Sequence, residues 1–165
     1  MFEHVDVNEA VRRSMQTEKN AMDFYRRGAQ MLQNAEAKRI FELLAREERE
    51  HAEWFYNVYK GGDVPDFDAF INAPPAADAD WIADLNAIKA GDFNERKAME
   101  MALAKERQLA DSLRALAERI EDPDVRAVFE QNAKSTDQHF QLIESEFARL
   151  MGMVHETDID TFVRE

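Results

Sequence analysis

The chain has 165 residues, of which 45% are hydrophobic and 33% are charged, and its formal net charge is −13. This balance is typical of one globular domain, and the acidic charge argues against binding to nucleic acid or to an anionic membrane. The absence of cysteine excludes disulfides, thiol catalysis and cysteine-ligated metal within the sequence. No stretch approaches the roughly 20 apolar residues of a membrane span and no secretory signal is evident, so we expect a cytoplasmic protein.

Two long helices are predicted in the first part of the chain, where Gly and Pro are rare. Apolar residues recur at three- and four-residue steps over 7–32 and over 35–59, which is the spacing of one helix face. Asn34 is suited to cap the second helix, and Gly61 follows its end. These features predict a helical hairpin.

A long connection is predicted over about 61–92, because three of the four prolines lie there. The segment WIADLNAIKAG within this connection is a candidate short helix. Phe67, Phe70 and Trp81 are expected to pack the connection against the long helices. A connection of this length can cross a bundle and let the third helix run parallel to the second.

The second part of the chain predicts another hairpin, with helices over 94–119 and 123–151. Asp122 followed by Pro123 is a strong start signal for the last helix, because Asp caps helices and Pro fits the first helical position. The acidic segment 153–165 is expected to be a tail, a short helix or a dimer arm.

The two hairpins align with each other in one register. Glu18 falls on Glu106 and His51 falls on His139, and both pairs are 88 positions apart (106 − 18 and 139 − 51). Chance alignment of amphipathic hairpins accounts for matched Ala and Phe residues, but not for matched Glu and His on inward-facing stripes. We interpret the register as an internal duplication. It predicts an all-α four-helix bundle over 1–152, made of two repeated hairpins with the crossover between helices 2 and 3.

The segment EEREHAEWF places Glu48 and His51 on one face of the second helix, with Cβ atoms about 5–6 Å apart. Such a pair alone is weak, because Glu-rich surface helices contain it by chance. Here the pair lies on an apolar stripe, and Glu18, Glu106 and His139 have similar settings. Buried carboxylates need partners and no Lys or Arg falls on these stripes near the acids, so a bound cation is the better partner. Carboxylates and imidazoles from facing helices suit iron, manganese or zinc.

The stretches QTEKNAMDFY and LLAREEREHAEWF resemble the rubrerythrin family of ferritin-like bundles. In di-iron proteins of this kind, two helices each supply one Glu and two supply Glu-x-x-His. The resemblance covers nearly the whole chain apart from its last residues. It implies a ferritin-like fold with one or two iron ions, held by Glu18, Glu48 and His51 at the first iron, with Glu48 bridging, and by Glu106 and His139 at the second.

The sequence departs from this family pattern at Thr136, where the repeat predicts a second bridging Glu. Asp137 is next to it but about 100° around the helix, and Glu100 lies six residues before Glu106, so both are poorly placed to replace it. Three carboxylates supply a charge of −3 against the +4 of two divalent ions. We therefore expect unequal sites, with tighter binding at the first iron.

The resemblance also implies that Tyr25 lies near the metals, although a core tyrosine with one hydrogen bond fits its position equally well. Rubrerythrin-like chemistry implies that ferrous iron reduces peroxide or dioxygen. Because the sequence has no cysteine for a rubredoxin-like iron site, an external electron donor is expected. Two alternatives remain, a non-catalytic protein that stores, delivers or senses iron or zinc, and a scaffold that binds no metal.

Homodimerisation is expected for a member of this family. The run Trp54, Phe55, Tyr56 and Tyr59 is too apolar to be entirely exposed and is a candidate interface. The alternative is that these side chains pack against the crossover.

Overall fold

The computed structural model describes residues 6–76, 79–88 and 94–152. These residues form no strand and six α-helices: α1 (Val7–Met31), α2 (Ala35–Val58), α3 (Phe67–Ile71), α4 (Asp80–Asn86), α5 (Glu95–Glu118) and α6 (Pro123–Leu150). The four long helices lie within two residues of their predicted ranges, and the all-α prediction is confirmed. Within the described ranges, no helix is long and apolar enough to cross a membrane.

Side-chain caps determine where the long helices begin. Asn34 Oδ1 accepts a hydrogen bond from the Ala37 N–H at 2.9 Å, and Asp122 Oδ1 accepts one from the Asp124 N–H at 2.9 Å. Pro123 occupies the start of α6, where no intrahelical donor is needed. Each such cap contributes about 0.5–2 kcal/mol. The predicted cap residues therefore mark the starts of α2 and α6 in the structure.

The long helices pack in pairs, α1 along α2 and α5 along α6, and α6 also contacts α2. This arrangement is the predicted ferritin-like bundle of two hairpins. The connection contains α4, which packs on α1, and α3, which packs on α2. The sequence predicts only one short helix there, and α3 is the additional one. The segment 153–165, with its predicted tail or short helix, lies outside the described residues.

The crossover packs against the hairpin through aromatic side chains. Trp81 of α4 lies with its ring centroid 5.2 Å from that of Phe24 and 5.9 Å from that of Tyr25. Phe67 of α3 is buried, whereas Phe70 is half-buried. The expected packing role of these aromatic residues is confirmed.

A buried ion pair ties the crossover to α1. Lys19 Nζ lies 2.6 Å from Asp23 Oδ2 and donates to the carbonyl oxygen of Ala73 at 2.9 Å. The Lys19 and Asp23 side chains are only 3% and 5% exposed. Burial raises the pKa of Asp23, and Lys19 opposes that rise. Lys19 is thus held by Asp23 and Ala73 and not by its neighbour Glu18.

Of the apolar run at the end of α2, only Phe55 packs inside the protein, and Trp54, Tyr56 and Tyr59 are half-buried. Phe55 is fully buried, with its ring 4.9 Å from that of Phe129. Tyr56 lies against Phe67 of the crossover, at a centroid distance of 5.3 Å. The crossover therefore covers part of the candidate interface, and the homodimer stays a prediction.

Candidate metal centre

Five Glu and His side chains, of the types that ligate metals, come from the four long helices and meet in the middle of the bundle. Each is at most 3% exposed. Because the helices pack as antiparallel pairs, residues near the midpoints of all four can face one another. The structure brings together every ligand suggested by the sequence: Glu18 of α1, Glu48 and His51 of α2, Glu106 of α5 and His139 of α6.

These side chains form two clusters that share one carboxylate. Glu18, Glu48 and His51 each offer a ligand atom, and these atoms lie within 4.8 Å of one another. Glu48, Glu106 and His139 meet the same condition. Glu48 alone belongs to both clusters, which is the position that a bridging ligand requires.

Both histidines direct Nδ1 toward the carboxylates. His51 Nδ1 lies 2.9 Å from Glu48 Oε1 and 3.5 Å from Glu18 Oε1. His139 Nδ1 lies 3.5 Å from Glu48 Oε2 and 3.6 Å from Glu106 Oε1. The two imidazole rings are stacked, with centroids 5.1 Å apart and planes inclined by 10°. Glu48 thus uses one oxygen toward each histidine.

The polar atoms that face the centre lack hydrogen-bond partners in the part of the chain that the structure describes. Both oxygens of Glu18 and of Glu48, Oε1 of Glu106 and Nδ1 of both histidines are buried without one. Their close contacts are therefore electrostatic and do not have hydrogen-bond geometry. A buried polar group left in this way costs about 1–3 kcal/mol, and more if it is charged. A cation would satisfy all of these atoms together, and the donor set fits iron, manganese or zinc.

The three carboxyl groups differ in how readily they take up protons. Burial raises the pKa of Glu48, but the charge of His51 and contacts with His139 outweigh burial and hold the pKa well below its usual range. Burial, with the Glu48 carboxylate adding to it, raises the pKa of Glu18 well above its usual range and that of Glu106 to about 7. Without metal, Glu48 is therefore the carboxyl group of the centre that loses its proton most readily.

The same carboxylates keep the histidines protonated when no metal is bound. Burial lowers the pKa of His51, but Glu48 and Glu18 outweigh it and raise the pKa to about 10. For His139, burial is outweighed by Glu106 and two other carboxylates, which raise its pKa further. A metal ion must displace these protons.

The comparison with known families agrees with this arrangement. The sequence model of the rubrerythrin family matches residues 9–150, a range that contains all five side chains of the centre. The chain belongs to the rubrerythrin family. No curated protein and no solved structure matches it. Family membership and the two clusters support a protein of the di-iron type.

The residue that departs from the rubrerythrin pattern, Thr136, is fully buried. Its Oγ1 donates to the carbonyl oxygen of Asn132 at 2.8 Å, so the hydroxyl is engaged by its own helix. Asp137 lies 2.7 Å from Arg114 on the surface. Glu100 is exposed and pairs with Arg96. Neither acid joins the clusters, as expected from their helical positions.

Tyr25 of this rubrerythrin-family chain contacts the centre directly. Its hydroxyl is buried and donates to Oε2 of Glu106. Burial and the Glu106 carboxylate raise the pKa of Tyr25 well above its usual range, so the phenol keeps its proton. Tyr25 also stacks edge-on with Phe41, at a centroid distance of 5.0 Å. The ring of Tyr25 therefore packs in the apolar core, while its hydroxyl binds the carboxylate of Glu106.

The outer nitrogens of the two histidines have partners that the sequence reasoning missed. His51 Nε2 lies 2.8 Å from Ser135 Oγ, and His139 Nε2 lies 2.6 Å from Glu47 Oε1. The hydrogen bond to His139 lowers the pKa of Glu47. The 88-residue register contains a signal for this arrangement, because positions 47 and 135 are equivalent in the two hairpins.

Proposed function

We propose that this chain is a rubrerythrin-like non-haem iron oxidoreductase, acting in the cytoplasm, that oxidises ferrous iron and reduces peroxide or dioxygen. The supporting observation is the set of seven buried atoms of Glu and His that face the centre without hydrogen-bond partners among the described residues. Without a metal, only the contacts between the histidines and the carboxylates would offset the cost of burying this set. One or two iron ions per chain would satisfy it.

Bound ferrous iron would supply the reducing chemistry: two ferrous ions would provide the two electrons that, with two protons, reduce hydrogen peroxide to two water molecules. The protein residues hold and orient the site. Glu48 lies between the two histidines and can serve both ions. Tyr25 holds Oε2 of Glu106 and leaves Oε1 facing His139. The 165 residues contain no cysteine for a second iron site, and an external donor is proposed to return the electrons.

The two sites are proposed to differ in affinity. The Glu18–Glu48–His51 cluster has its shortest nitrogen–oxygen contact at 2.9 Å, whereas the shortest inward contact of His139 is 3.5 Å. The second cluster also lacks the carboxylate that Thr136 replaces. Metal titration should therefore show a tighter ion and a weaker ion. Two equal sites would contradict this part of the proposal.

The test of the reaction is the oxidation of ferrous protein by peroxide. Wild-type protein is reconstituted with ferrous iron without oxygen, mixed rapidly with hydrogen peroxide and followed by absorbance. Glu48→Ala should abolish the fast phase, because it removes the carboxylate that both clusters share. Glu53→Ala removes an exposed carboxylate from the same helix and is the matched control. Equal rates in all three proteins would refute the role of this centre.

A second candidate function is metal binding without turnover, for storage, delivery or sensing of iron or zinc. The buried Thr136 favours it, because its hydroxyl is bound to Asn132 and leaves the centre with three inner carboxylates. The same experiment separates the candidates: bound metal without peroxide-dependent oxidation supports this second function. The proposed homodimer is tested separately, by light scattering of the purified protein.

A further inference from the structure

We infer that Glu47 is the fourth carboxylate of the metal centre, a positioning residue that acts through His139 and supplies the negative charge missing at Thr136. The inference rests on the proposed metal site and adds to it a residue outside the five ligands. Its basis is the contact between Glu47 and His139 together with the unequal composition of the two hairpins.

The geometry fixes the orientation of His139. Its Nε2 lies 2.6 Å from Oε1 of Glu47, while its Nδ1 faces Glu48 and Glu106. An imidazole has two nitrogens, so a carboxylate that accepts from Nε2–H leaves the lone pair of Nδ1 for a metal. A hydrogen bond to a charged acceptor is also roughly twice as strong as a neutral one. Glu47 thus holds the ring and makes it a more basic ligand.

The equivalent contact in the other half of the centre is neutral. His51 Nε2 lies 2.8 Å from the hydroxyl of Ser135, which occupies the position of Glu47 in the 88-residue register. The first hairpin therefore reads Glu-Glu at 47–48, where the second reads Ser-Thr at 135–136. Each histidine contacts the residue of the opposite hairpin. As a result, the carboxylate of Glu47 acts on the cluster that contains His139.

The charge of Glu47 compensates for the carboxylate that is missing at position 136. The three inner carboxylates contribute −3 against the +4 of two divalent ions, and Glu47 brings the total to −4. Glu47 is 41% exposed at its side chain, whereas His139 is 3% exposed, so the acid remains partly hydrated while its charge acts on a buried ring. Partial hydration lowers the cost of keeping a fourth anion beside the three buried carboxyl groups.

The test is the affinity of the centre for cobalt(II) and zinc, measured by competition with a chelator. Glu47→Gln keeps an oxygen that can accept from Nε2–H but removes the charge, and Glu47→Ala removes both. We expect each variant to bind the weaker ion about 10–100-fold less tightly, the usual effect of losing such a partner, with the tighter ion little changed. Ser135→Ala, the equivalent change beside His51, should leave the weaker ion unaffected. Glu53→Gln, an exposed charge on α2, should leave both ions within about twofold.

A double variant tests the compensation itself. Thr136→Glu restores a carboxylate at the equivalent inner position, so Glu47→Gln in that background should weaken the second ion by less than about threefold. An undiminished penalty would overturn the claim that Glu47 replaces the missing charge. In cobalt protein, the absorption bands of the weaker ion alone should change with Glu47→Gln. Circular dichroism of each metal-free variant verifies its fold.

The outcomes separate the inference from the proposed function. If wild-type protein binds two ions and Glu47→Gln binds both within twofold, Glu47 forms only a surface ion pair and the inference is wrong while the metal site stands. If wild-type protein binds no cobalt, zinc or iron, both fail. Selective loss of the weaker ion in the Glu47 variants, with Ser135→Ala unchanged for that ion, establishes the inference.

Discussion

Substitution of individual glutamates in the metal-free protein should have very unequal effects, although the side chains look alike. Glu48 contacts both histidines, through one oxygen at 2.9 Å and the other at 3.5 Å, and its pKa is held well below the usual range. Glu18 has a pKa raised well above that range by burial. The metal-free centre therefore favours the charged form of Glu48 and the protonated form of Glu18. Glutamine resembles a protonated glutamic acid, but it cannot replace a carboxylate between two imidazolium rings.

The expected magnitudes follow from this difference. Glu48→Gln removes one partner of a buried set of opposite charges, which costs about 3–5 kcal/mol. Glu18→Gln exchanges one neutral group for another of similar shape and should cost about 1 kcal/mol or less. For a chain of this size, 1 kcal/mol corresponds to roughly 2–4 °C in Tm. Glu48→Gln should therefore lower Tm by about 6–20 °C, and Glu18→Gln by no more than about 4 °C.

The assay is thermal unfolding of chelator-treated protein near pH 6, followed by circular dichroism. Glu53→Gln, an exposed change on the same helix as Glu48, should lie within about 0.5 kcal/mol of wild type. Equal losses for Glu18→Gln and Glu48→Gln, or a larger loss for Glu18→Gln, would refute the assignment of Glu48 as the carboxyl group of the centre that loses its proton most readily.

Three other changes test the same electrostatic account. Thr136→Glu should raise the metal stoichiometry toward two ions per chain, measured by elemental analysis, and should destabilise the metal-free protein because it buries another carboxyl group; an unchanged stoichiometry would speak against the missing-ligand interpretation. Because His51 has its pKa raised from 6.5 to about 10, its stabilising contribution to the metal-free protein is complete below 6.5 and lost as pH rises toward 10. Over the same pH range, the affinity for metal should increase, because the metal no longer competes with protons. At neutral pH, metal binding should release protons, which calorimetry in buffers of different ionisation enthalpy measures. Binding without proton release would contradict the assignment of protonated histidines in the metal-free protein. Tyr25→Phe leaves Oε2 of Glu106 without its donor and should cost about 1–3 kcal/mol in chemical unfolding, whereas an unchanged stability would show that this hydrogen bond is dispensable.

The sequence predicts the fold well because the signals that set it are local. The side chains of Asn34 and Asp122 cap their helices by accepting hydrogen bonds from backbone N–H groups two or three residues later in the chain. The 88-residue register then relates the two hairpins, and it places Glu18 with Glu106 and His51 with His139 before any contact is known. Helix periodicity and the duplication together suffice to predict that these side chains meet in the bundle.

Features that depend on contacts between distant segments of the chain could not be predicted from the sequence in this way. Lys19 follows Glu18 and looks like a surface residue, but its burial depends on the carbonyl oxygen of Ala73 in the crossover. Glu47 precedes Glu48 and would point to solvent on an isolated helix. Its role emerges only when α6 brings His139 within 2.6 Å of it. In both cases the deciding partner is more than fifty residues away in the chain.

The most direct test of the account is the iron content per chain after anaerobic reconstitution with ferrous iron, measured for wild type and for Glu48→Ala, followed by a pulse of peroxide. The account predicts more than one iron per chain and a fast oxidation phase in wild-type protein. Glu48→Ala should lose the bound iron and the fast phase, because Glu48 is common to the two clusters. No bound iron in wild-type protein, or equal iron content in the variant, would contradict it.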